Sequence, residues 1–425
     1  MWSSHYFEKD SDDMQYREMG QTGDKISVLG YGCMRFPRSG GRVDEKRAAR
    51  QLISAIDRGV NYVDTAYLYV GNEAILGNIL SNGYREKVFL ATKLPPMQVN
   101  SRADMEKILD LQLKRLKTDY IDYYLIHMLM TMGGWERLKR LGVEDFLQKS
   151  LDSGKIRRTA FSFHGTRGEF TKIIDDYSWD MCQLQYNYAD EFNQAGREGL
   201  DYAHKKGIGV SVMEPLRGGR LAGALPEGVA ELFEKANMAR TPAEWALRWV
   251  WDNPGVTTLL SGMNEEAHID ENIRTACEAK ADSLSDAEKA VFKEVREELD
   301  KTIKVPCTGC SYCMPCPYGV NIPTCFTMLN DLSVFKDGRQ KFWYTIRTSG
   351  LDGTGGAYAS LCRECGACEK KCPQGIEIRK GLKLVRSALE KGYFKPMSAS
   401  IRGYIKVRRA IKGENKKADA DKAPG

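Results

Sequence analysis

From residue 24 onward, apolar runs of strand length alternate with amphipathic stretches of helical period. The strand candidates are SVLGYGCM (27–34), YVDTA (62–66), VFLATKL (88–94), YIDYYLIH (120–127), RRTAFSFH (157–164), MCQLQYNY (181–188), IGVSVMEP (208–215) and VTTLLSGM (256–263). The helical stretches between and after them include residues 101–117, 144–155, 167–176, 194–206 and 241–255. Gly154 is a typical helix stop, and Thr241 followed by Pro242 is a typical helix start.

This order predicts an α/β protein whose main domain is a (β/α)8 barrel, the TIM barrel. Eight strand-then-helix units over about 250 residues match that fold in length and order. The strands are apolar along nearly their whole length, as is typical of parallel strands covered on both faces. The main alternative, a doubly wound sheet, usually has a third glycine and a helix start after its first strand. LGYGCMRFP has only Gly30 and Gly32, so the barrel is favoured.

The composition is that of a soluble globular protein. Hydrophobic residues make up 42% and charged residues 28% of the 425 positions, enough for one large domain and a smaller one. There is no uncharged apolar run of about 18 residues, so we expect no membrane span. Residues 1–13 are polar and lack the order of a secretory signal, and we interpret them as an extension ahead of Met14.

The net charge of +6 is concentrated at the C-terminus. Residues 379–425 contain 14 Lys and Arg against 4 Asp and Glu, which leaves −4 for residues 1–378. Such a basic tail could attract nucleic acid, anionic lipid or an acidic protein, or it could be a solvated and partly helical end. We adopt the last interpretation and expect no nucleic-acid partner.

Eight of the 12 cysteines fall in two tight runs, each ending in Cys-Pro. The ligand candidates are Cys307, Cys310, Cys313 and Cys316 in the first run, and Cys362, Cys365, Cys368 and Cys372 in the second. The second run has the bacterial ferredoxin spacing, and the first has one residue fewer before its last cysteine. This clustering indicates metal rather than disulfides and therefore a reducing, cytoplasmic location.

The ferredoxin rule assigns the fourth cysteine of each run to the other cluster. It predicts two [4Fe-4S] clusters, with Cys372 joining the first three cysteines and Cys316 joining the second three. A single cluster and a structural zinc site are the alternatives, since four-cysteine zinc sites are common. The segment between the runs contains IPTCFTMLNDLSVF and GRQKFWYTIR, both helical in pattern. We therefore expect a small, mostly α-helical ferredoxin-like iron–sulfur domain, in which Cys325 is a buried thiol.

Four polar residues lie at or after the ends of three successive predicted strands: Asp64, Tyr69, Lys93 and His127. Barrel chemistry is located at these carboxyl ends, so the four side chains can converge. Carbonyl reduction needs a proton for the developing alkoxide, and a free tyrosine, with a pKa of about 10, is a weak donor at neutral pH. We expect Lys93, held by Asp64, to lower the pKa of Tyr69, and His127 to orient the substrate oxygen. Individually, each residue could instead be structural.

These motifs resemble those of the aldo/keto reductase family over residues 14 to 300. VDTAYLYVGNE (63–73) is similar to the family segment that supplies the aspartate and tyrosine, and LATKL and YYLIH are similar to its lysine and histidine strands. The opening REMGQTGDKISVLGYGCMRFP resembles the short hairpin and first strand of bacterial members. The resemblance implies that the four residues form a catalytic tetrad and that NADPH or NADH binds across the barrel mouth.

The same resemblance implies a set of cofactor-binding residues. They are Ser162 and Gln183 at the carboxamide, Met213 at the nicotinamide ring, Arg217, Gly218 and Gly219 at the pyrophosphate, and Asn264, Glu271 and Asn272 at the adenosine. Phe163 replaces the usual asparagine beside the serine, and Met213 replaces a stacking tyrosine. Gly262 and His268 stand where the family has basic residues for the 2′-phosphate, so the choice between NADP and NAD stays open.

The first functional hypothesis is an NAD(P)-dependent oxidoreductase that interconverts a carbonyl and an alcohol. Its domains are an extension (1–13), the barrel (14–300), an iron–sulfur domain (301–380) and a basic tail (381–425). The alternative is an electron-transfer or redox-sensing protein that uses the barrel as a docking body and a ferredoxin or flavodoxin as its partner. No flavin fingerprint occurs, so we expect the clusters and the nicotinamide to be electrically separate, unless a flavin or radical chemistry connects them.

Substrate identity is expected to depend on the loops. MLMTMGGWERLKRLG (128–142) contains Trp135 and could form an apolar pocket wall or pack as the start of a helix, of which we favour the helix.

Overall fold

The computed structural model describes residues 13–223, 225–236, 238–307, 309, 312–336, 338–350, 356–372 and 374–411, with the backbone alone at 402 and 405–411. Its strands are β1 (Tyr16–Glu18), β2 (Lys25–Ser27), β3 (Leu29–Gly32), β4 (Arg38–Ser39), β5 (Arg42–Val43), β6 (Tyr62–Asp64), β7 (Phe89–Leu94), β8 (Ile121–Leu129), β9 (Ile156–Phe163), β10 (Met181–Gln185), β11 (Gly209–Met213) and β12 (Thr258–Ser261).

The helices of the same ranges follow in chain order. They are α1 (Glu45–Asp57), α2 (Asn72–Leu80), α3 (Arg102–Leu116), α4 (Met132–Arg140), α5 (Val143–Asp152), α6 (Arg167–Asp175), α7 (Gly196–Lys205), α8 (Arg220–Gly223), α9 (Glu227–Lys235), α10 (Pro242–Trp251), α11 (Glu266–Glu278), α12 (Asp286–Lys301), α13 (Ile322–Phe335), α14 (Arg339–Thr348), α15 (Ile378–Leu389) and α16 (Phe394–Ile411). Contacts divide the chain into two compact units, which meet in sequence at Val295 and Arg296, with residues 166–168 counted in the second.

The first unit is a closed parallel barrel with the strand order β3-β6-β7-β8-β9-β10-β11-β12. Each of its strands overlaps one of the eight apolar runs of the sequence, although β8 and β9 extend beyond their runs, so the predicted (β/α)8 fold is confirmed. Most strands are shorter than their runs, and in β3, β6, β10, β11 and β12 the last residues of the run leave the sheet to enter the loops. Side chains at these strand ends therefore face the barrel mouth.

The amino end of the barrel is closed by the antiparallel β1–β2 hairpin. Met19 and Ile26 of the hairpin segment are fully buried in one cluster with Tyr62 and Met181, the first residues of β6 and β10. A side chain on Gly209, which begins β11, would collide with the Met19 sulfur at 2.4 Å. The hairpin is thus a hydrophobic plug at the end opposite the strand carboxyl ends, which leaves only the other end open for a site.

The helix boundaries follow from local chemistry. Thr241 caps α10 by accepting a hydrogen bond from the Glu244 backbone nitrogen at 3.1 Å, and Pro242 occupies the first helical position as predicted. Gly154 has a φ of +72° just after α5, a conformation that favours glycine. Trp135 is fully buried on α4, where its ring packs 5.1 Å from that of Trp179. Residues 128–142 therefore contain the helix α4, which begins at Met132 and packs Trp135 into the core, as favoured, instead of using it as a pocket wall.

The second unit is mostly helical, as expected. Both predicted helices between the cysteine runs are present, as α13 and α14. Its core also contains Leu382, Val385 and Leu389 of α15 and Phe394 of α16. The expected division between domain and tail at residue 380 therefore falls inside α15, because the apolar stripe of this basic helix is packed into the core. None of the helices in the described ranges is long and apolar enough to cross a membrane.

Candidate active site and cysteine centre

Strands β6, β7 and β8 place three polar side chains at the open end of the barrel. Asp64 ends β6, Lys93 lies one residue before the end of β7, and His127 lies near the end of β8. The Nζ atom of Lys93 is 2.6 Å from each carboxylate oxygen of Asp64 and 2.8 Å from the carbonyl oxygen of Thr65. Both charged side chains are almost fully buried, so this is a desolvated ion pair with additional hydrogen bonding.

The tyrosine and histidine complete the group. Tyr69 follows β6 in a turn, and its ring centroid lies 6.2 Å from that of His127, at an interplanar angle of 84°. The ammonium nitrogen of Lys93 is 5.5 Å from the centre of the Tyr69 ring. The structure therefore brings all four predicted residues together. Tyr69 is half-buried, so the group lies at the edge of the mouth.

The direction of the Tyr69 pKa differs from the expectation. Burial and the Asp64 carboxylate raise the pKa of Tyr69, and the cation that lowers it in part is Arg35 rather than Lys93. The expected lowering by Lys93 is wrong for this structure, because Asp64 neutralises the ammonium at hydrogen-bond distance. At neutral pH the phenol of Tyr69 therefore remains protonated, which is the form that can donate a proton.

His127 is held in its neutral form. Burial, followed by the charge of Lys93 and by His164, lowers its pKa well below the ordinary value. The Nδ1 atom of His127 is buried and has no hydrogen-bond partner within the described residues. A neutral imidazole beside Tyr69 is suited to hydrogen bonding with a substrate oxygen, because one of its ring nitrogens carries a proton.

Ser162 and Gln183 are neighbours in the sheet, since they pair in register between β9 and β10. The amide nitrogen of Gln183 donates to Asp64 at 3.0 Å, and the Ser162 hydroxyl accepts from the backbone nitrogen of Met128 at 2.8 Å. Gln183 is thus bound to the Asp64–Lys93 pair, and Ser162 is bound to the strand that carries His127. Their predicted role at a carboxamide stays a prediction.

The loop after β11 contains the next predicted group. Met213 ends β11 and is partly buried, and Arg217, Gly218 and Gly219 follow with φ values of +47°, +69° and +90°. Arg217 is buried and paired with Asp190 at 3.0 Å, so its charge is already neutralised. A side chain on Gly219 would meet nothing within 4 Å, which leaves the backbone open to close approach.

Arg35 is a cation that the sequence pattern does not single out. Its side chain lies against two glycines of the mouth, because a Cβ atom on Gly262 would come within 2.8 Å of it and one on Gly218 within 3.2 Å. It joins the two segments that were predicted to hold opposite halves of a dinucleotide. Its position in the short 3-10 helix Cys33–Arg35, which follows the carboxyl end of β3, is the sequence signal that could have indicated it.

At the predicted adenosine end, two of the three predicted side chains already form hydrogen bonds within the protein. The Asn272 amide donates to the Ser261 hydroxyl at 3.0 Å, and Glu271 accepts a hydrogen bond from Thr241. Asn264 is half-buried in the loop before α11, and His268 is exposed on that helix. Asn272 therefore ties α11 to β12, and the roles of Asn264 and Glu271 toward a ligand stay predictions.

The mouth as a whole fits a dinucleotide. The Gly219 backbone is accessible, and Arg35 supplies a positive charge beside Gly218. An anionic pyrophosphate suits both features.

The cysteines of the second unit gather around its core. The partly buried cysteines that pack against this core are Cys307, Cys313, Cys316, Cys362, Cys368 and Cys372. Cys365 is exposed, and Cys310 lies outside the described residues. Cys325 is fully buried, as expected, and its thiol lies 3.7 Å from the Tyr344 hydroxyl.

The buried thiol of Cys325 lies near one cysteine of each run. Burial raises the pKa of Cys325, and Glu390, Cys316 and Cys362 raise it further. The predicted exchange of ligands between the two runs stays a prediction.

The donor set fits iron–sulfur clusters. Clusters of this kind are held by cysteine thiolates, and each run supplies four cysteines. Six of these thiols are half-buried against an apolar core, which would shield a cluster from solvent on that side.

Comparison with known proteins agrees with both sites. The aldo/keto reductase family model matches residues 28–291, and the 4Fe-4S dicluster domain model matches residues 306–377. Aldo-keto reductase YhdN of Bacillus subtilis is 31% identical over 298 residues, which cover 60% of this chain and 87% of the relative. The NADP(+) aldo-keto reductase yakc of Schizosaccharomyces pombe is 26% identical over 317 residues, 65% of this chain and 89% of the relative. The solved holo form of aldo-keto reductase AKR11C1 from Bacillus halodurans has a TM-score of 0.56 at 25% identity, covering 67% of this chain and 96% of its own.

Proposed function

Because the chain belongs to the aldo/keto reductase family, we propose that its barrel interconverts a carbonyl and an alcohol with a nicotinamide cofactor. The observation that carries this proposal is the convergence of Tyr69 and His127 over the buried Lys93–Asp64 pair. Such a group offers one proton donor and one neutral hydrogen-bonding ring to a single oxygen atom.

In the proposed reduction, the substrate carbonyl oxygen lies between Tyr69 and His127. His127 orients the oxygen, and Tyr69 transfers its phenolic proton as negative charge develops there. An alkoxide is more basic than a phenolate, so this transfer is favourable even though burial raises the pKa of Tyr69. Lys93 then lies 5.5 Å from the ring that becomes anionic, and Asp64 keeps it in place.

A bound NADPH or NADH would supply the hydride. The residues that would hold it are Ser162, Gln183, Met213, Arg217, Gly218, Gly219, Asn264, Glu271 and Asn272, together with Arg35. We favour NADP, since the yeast relative is named for it. At the adenosine end, however, the positive charge of Arg47 is already balanced by ion pairs with Glu265 and Glu266. A direct comparison of the two cofactors is therefore part of the test.

For the C-terminal unit, we propose two [4Fe-4S] clusters that exchange single electrons and are electrically separate from the nicotinamide. The clustering of eight cysteines in two metal-ligand runs supports a reducing, cytoplasmic location. The second candidate function is an electron-transfer protein whose barrel is only a docking body. It is supported by the exposure of Cys365, which brings one ligand to the surface.

The experiment uses protein purified without oxygen and analysed for iron and sulfide. First, NADPH and NADH are each added with a panel of aldehydes and ketones, and oxidation of the nicotinamide is followed. Turnover supports the reductase, whereas failure to bind either nicotinamide favours the second candidate. Next, each nicotinamide is added without a carbonyl while the cluster absorption is recorded, with dithionite as the control for reducible clusters. Bleaching by the nicotinamide would contradict electrical separation.

A further inference from the structure

Cys365 is the exposed member of the ligand cysteines that the structure describes. It lies in the turn between Glu364 and Gly366, which have φ values of +56° and +73°. The other described cysteines of the two runs are half-buried against the core. A cluster bound by Cys365 would therefore lie closest to solvent at this turn.

Helix α15 runs beside the Cys365 turn and presents cations to it. Lys383 pairs with Glu364 at 2.8 Å, and Arg379 pairs with Glu369 at 2.7 Å. Arg386 is exposed and lies three residues after Lys383, so both cations are on the same face of this helix. We call the exposed surface formed by Arg363, Cys365, Arg379, Lys383 and Arg386 the Cys365 face.

The charge of this region is strongly positive. Residues 362–395 contain nine Lys and Arg against four Asp and Glu. One of those acids, Glu390, is buried and accepts a hydrogen bond from Tyr344 at 2.6 Å. The nine cations therefore exceed what Glu364, Glu369 and Glu377 can neutralise. Leu384, with 44% of its surface exposed, adds an apolar position on the same helix. Exposed apolar area within a charged rim is typical of a protein-binding surface.

We propose that the Cys365 face docks an acidic protein that carries single electrons, such as an acidic ferredoxin. This proposal rests on the proposed iron–sulfur clusters and names the partner of that site. One electron leaves the reduced carrier and enters the cluster bound by Cys362, Cys365, Cys368 and Cys316, and no bond or proton is exchanged. Lipid and nucleic acid would match the charge, but neither accepts or donates an electron at the exposed ligand.

The test measures electron transfer from a reduced, acidic plant-type [2Fe-2S] ferredoxin into the oxidised clusters of the full chain, by anaerobic stopped flow. The variant is Lys383→Glu with Arg386→Glu. The control is Lys149→Glu with Lys235→Glu, which makes the same change of charge at exposed barrel positions. We expect the rate constant to fall at least about tenfold in the variant and its salt dependence to flatten, with little effect in the control.

Iron content and the electron paramagnetic resonance spectrum are recorded for each protein. If the charge reversal reduces iron loading, the double variant Lys383→Gln with Arg386→Gln is measured in its place. The expected fall in the electron-transfer rate constant is then about threefold. Equal rates in wild type and variant, or an equal fall in the control, would overturn the proposal. So would a wild-type cluster that dithionite reduces but ferredoxin does not. Binding to phosphatidylserine vesicles that depends on these cations, with an unchanged ferredoxin rate, would assign the face to a membrane and also overturn it. Carbonyl turnover is measured separately, so failure of the reductase proposal can be distinguished from failure of this docking proposal.

Discussion

The ammonium nitrogen of Lys93 lies 2.6 Å from both carboxylate oxygens of Asp64, inside a barrel where neither side chain has appreciable contact with solvent. This pairing changes what Lys93 can do for its neighbours. A neutralised ammonium stabilises the Tyr69 phenolate less than an unpaired one, and burial then raises the pKa of the tyrosine. Burial of the pair also carries a large desolvation cost. Removal of either partner should therefore destabilise the protein, because the other charge stays buried without its counter-charge.

Asp64→Asn should lower the free energy of unfolding by about 3–5 kcal/mol, because it leaves a buried ammonium without its counter-charge. The matched control is Asp57→Asn, whose carboxylate is half-exposed and lies 3.5 Å from Lys87. That change should cost less than about 1 kcal/mol. Urea unfolding of the barrel, followed by tryptophan fluorescence, measures both. Equal losses in the two variants would show that the buried pair contributes no more than a surface pair.

Tyr69→Phe should lower kcat for carbonyl reduction by about 10²–10⁴-fold, because it removes the proposed proton donor while keeping the ring. The dissociation constant of the nicotinamide should not change. Tyr67→Phe is the control, since Tyr67 lies two residues away and packs under the Arg115 guanidinium instead. Steady-state kinetics and cofactor titration give both quantities. Near-normal turnover in Tyr69→Phe would show that another group donates the proton.

His127 should make the protein less stable in acid. Its pKa is lowered in the folded state, so below the unfolded value of about 6.5 the unfolded chain binds a proton that the folded chain does not. Stability is therefore lost as the pH falls below about 6.5, by up to about 1.4 kcal/mol for each pH unit. Denaturant unfolding of wild type and His127→Gln at a series of pH values measures the difference. Parallel pH profiles would contradict a neutral buried His127.

Tyr344 should stabilise the C-terminal unit through its hydroxyl. This group donates to the buried Glu390 at 2.6 Å and accepts from the Ala359 nitrogen at 2.9 Å. Tyr344→Phe leaves both partners short of a hydrogen bond and should cost about 1–3 kcal/mol. Thermal unfolding of the cluster-loaded protein measures it, with the half-exposed Tyr393 changed to Phe as the control. An unaltered transition in Tyr344→Phe would mean that water replaces the hydroxyl.

Removal of iron should unfold the C-terminal unit and spare the barrel. The half-buried cysteines line the core of that unit, so loss of their clusters exposes it, whereas the barrel has its own core. After chelation, limited proteolysis should cut between residues 304 and 380, and NADPH-dependent turnover should persist. Cys362→Ser should reproduce the effect, and Cys325→Ser, at a buried thiol outside the ligand set, should retain iron. Loss of turnover on chelation would instead connect the clusters to the reaction.

The elements of this protein were predictable where a local period or cap decides them. The strand and helix alternation produced all eight barrel strands, and the apolar pattern of 322–335 became α13. Thr241 and Pro242 start α10 because capping involves only neighbours in the chain. The convergence of Asp64, Lys93 and His127 was predictable as well, since successive parallel strands end side by side.

Features that depend on contacts between distant segments of the chain were not predictable from the sequence. Trp135 could line a pocket or pack a helix, and only its contact with Trp179 decides for packing. The basic segment after residue 380 looks like a tail in composition, yet its apolar stripe is part of a core. The position of Arg35 at the barrel mouth is shown only by its proximity to Gly218 and Gly262, which lie far away in the chain.

By itself, the sequence determined the barrel, the tetrad candidates and the cysteine spacing, because each follows from short-range periodicity and spacing. Only the tertiary structure decided the protonation of the site. The charge that reaches Tyr69 depends on the distances between Lys93, Asp64 and Arg35 and on how far water is excluded, and both arise when remote segments pack together. The same packing selects Cys365, among the described ligand cysteines, as the one at the surface.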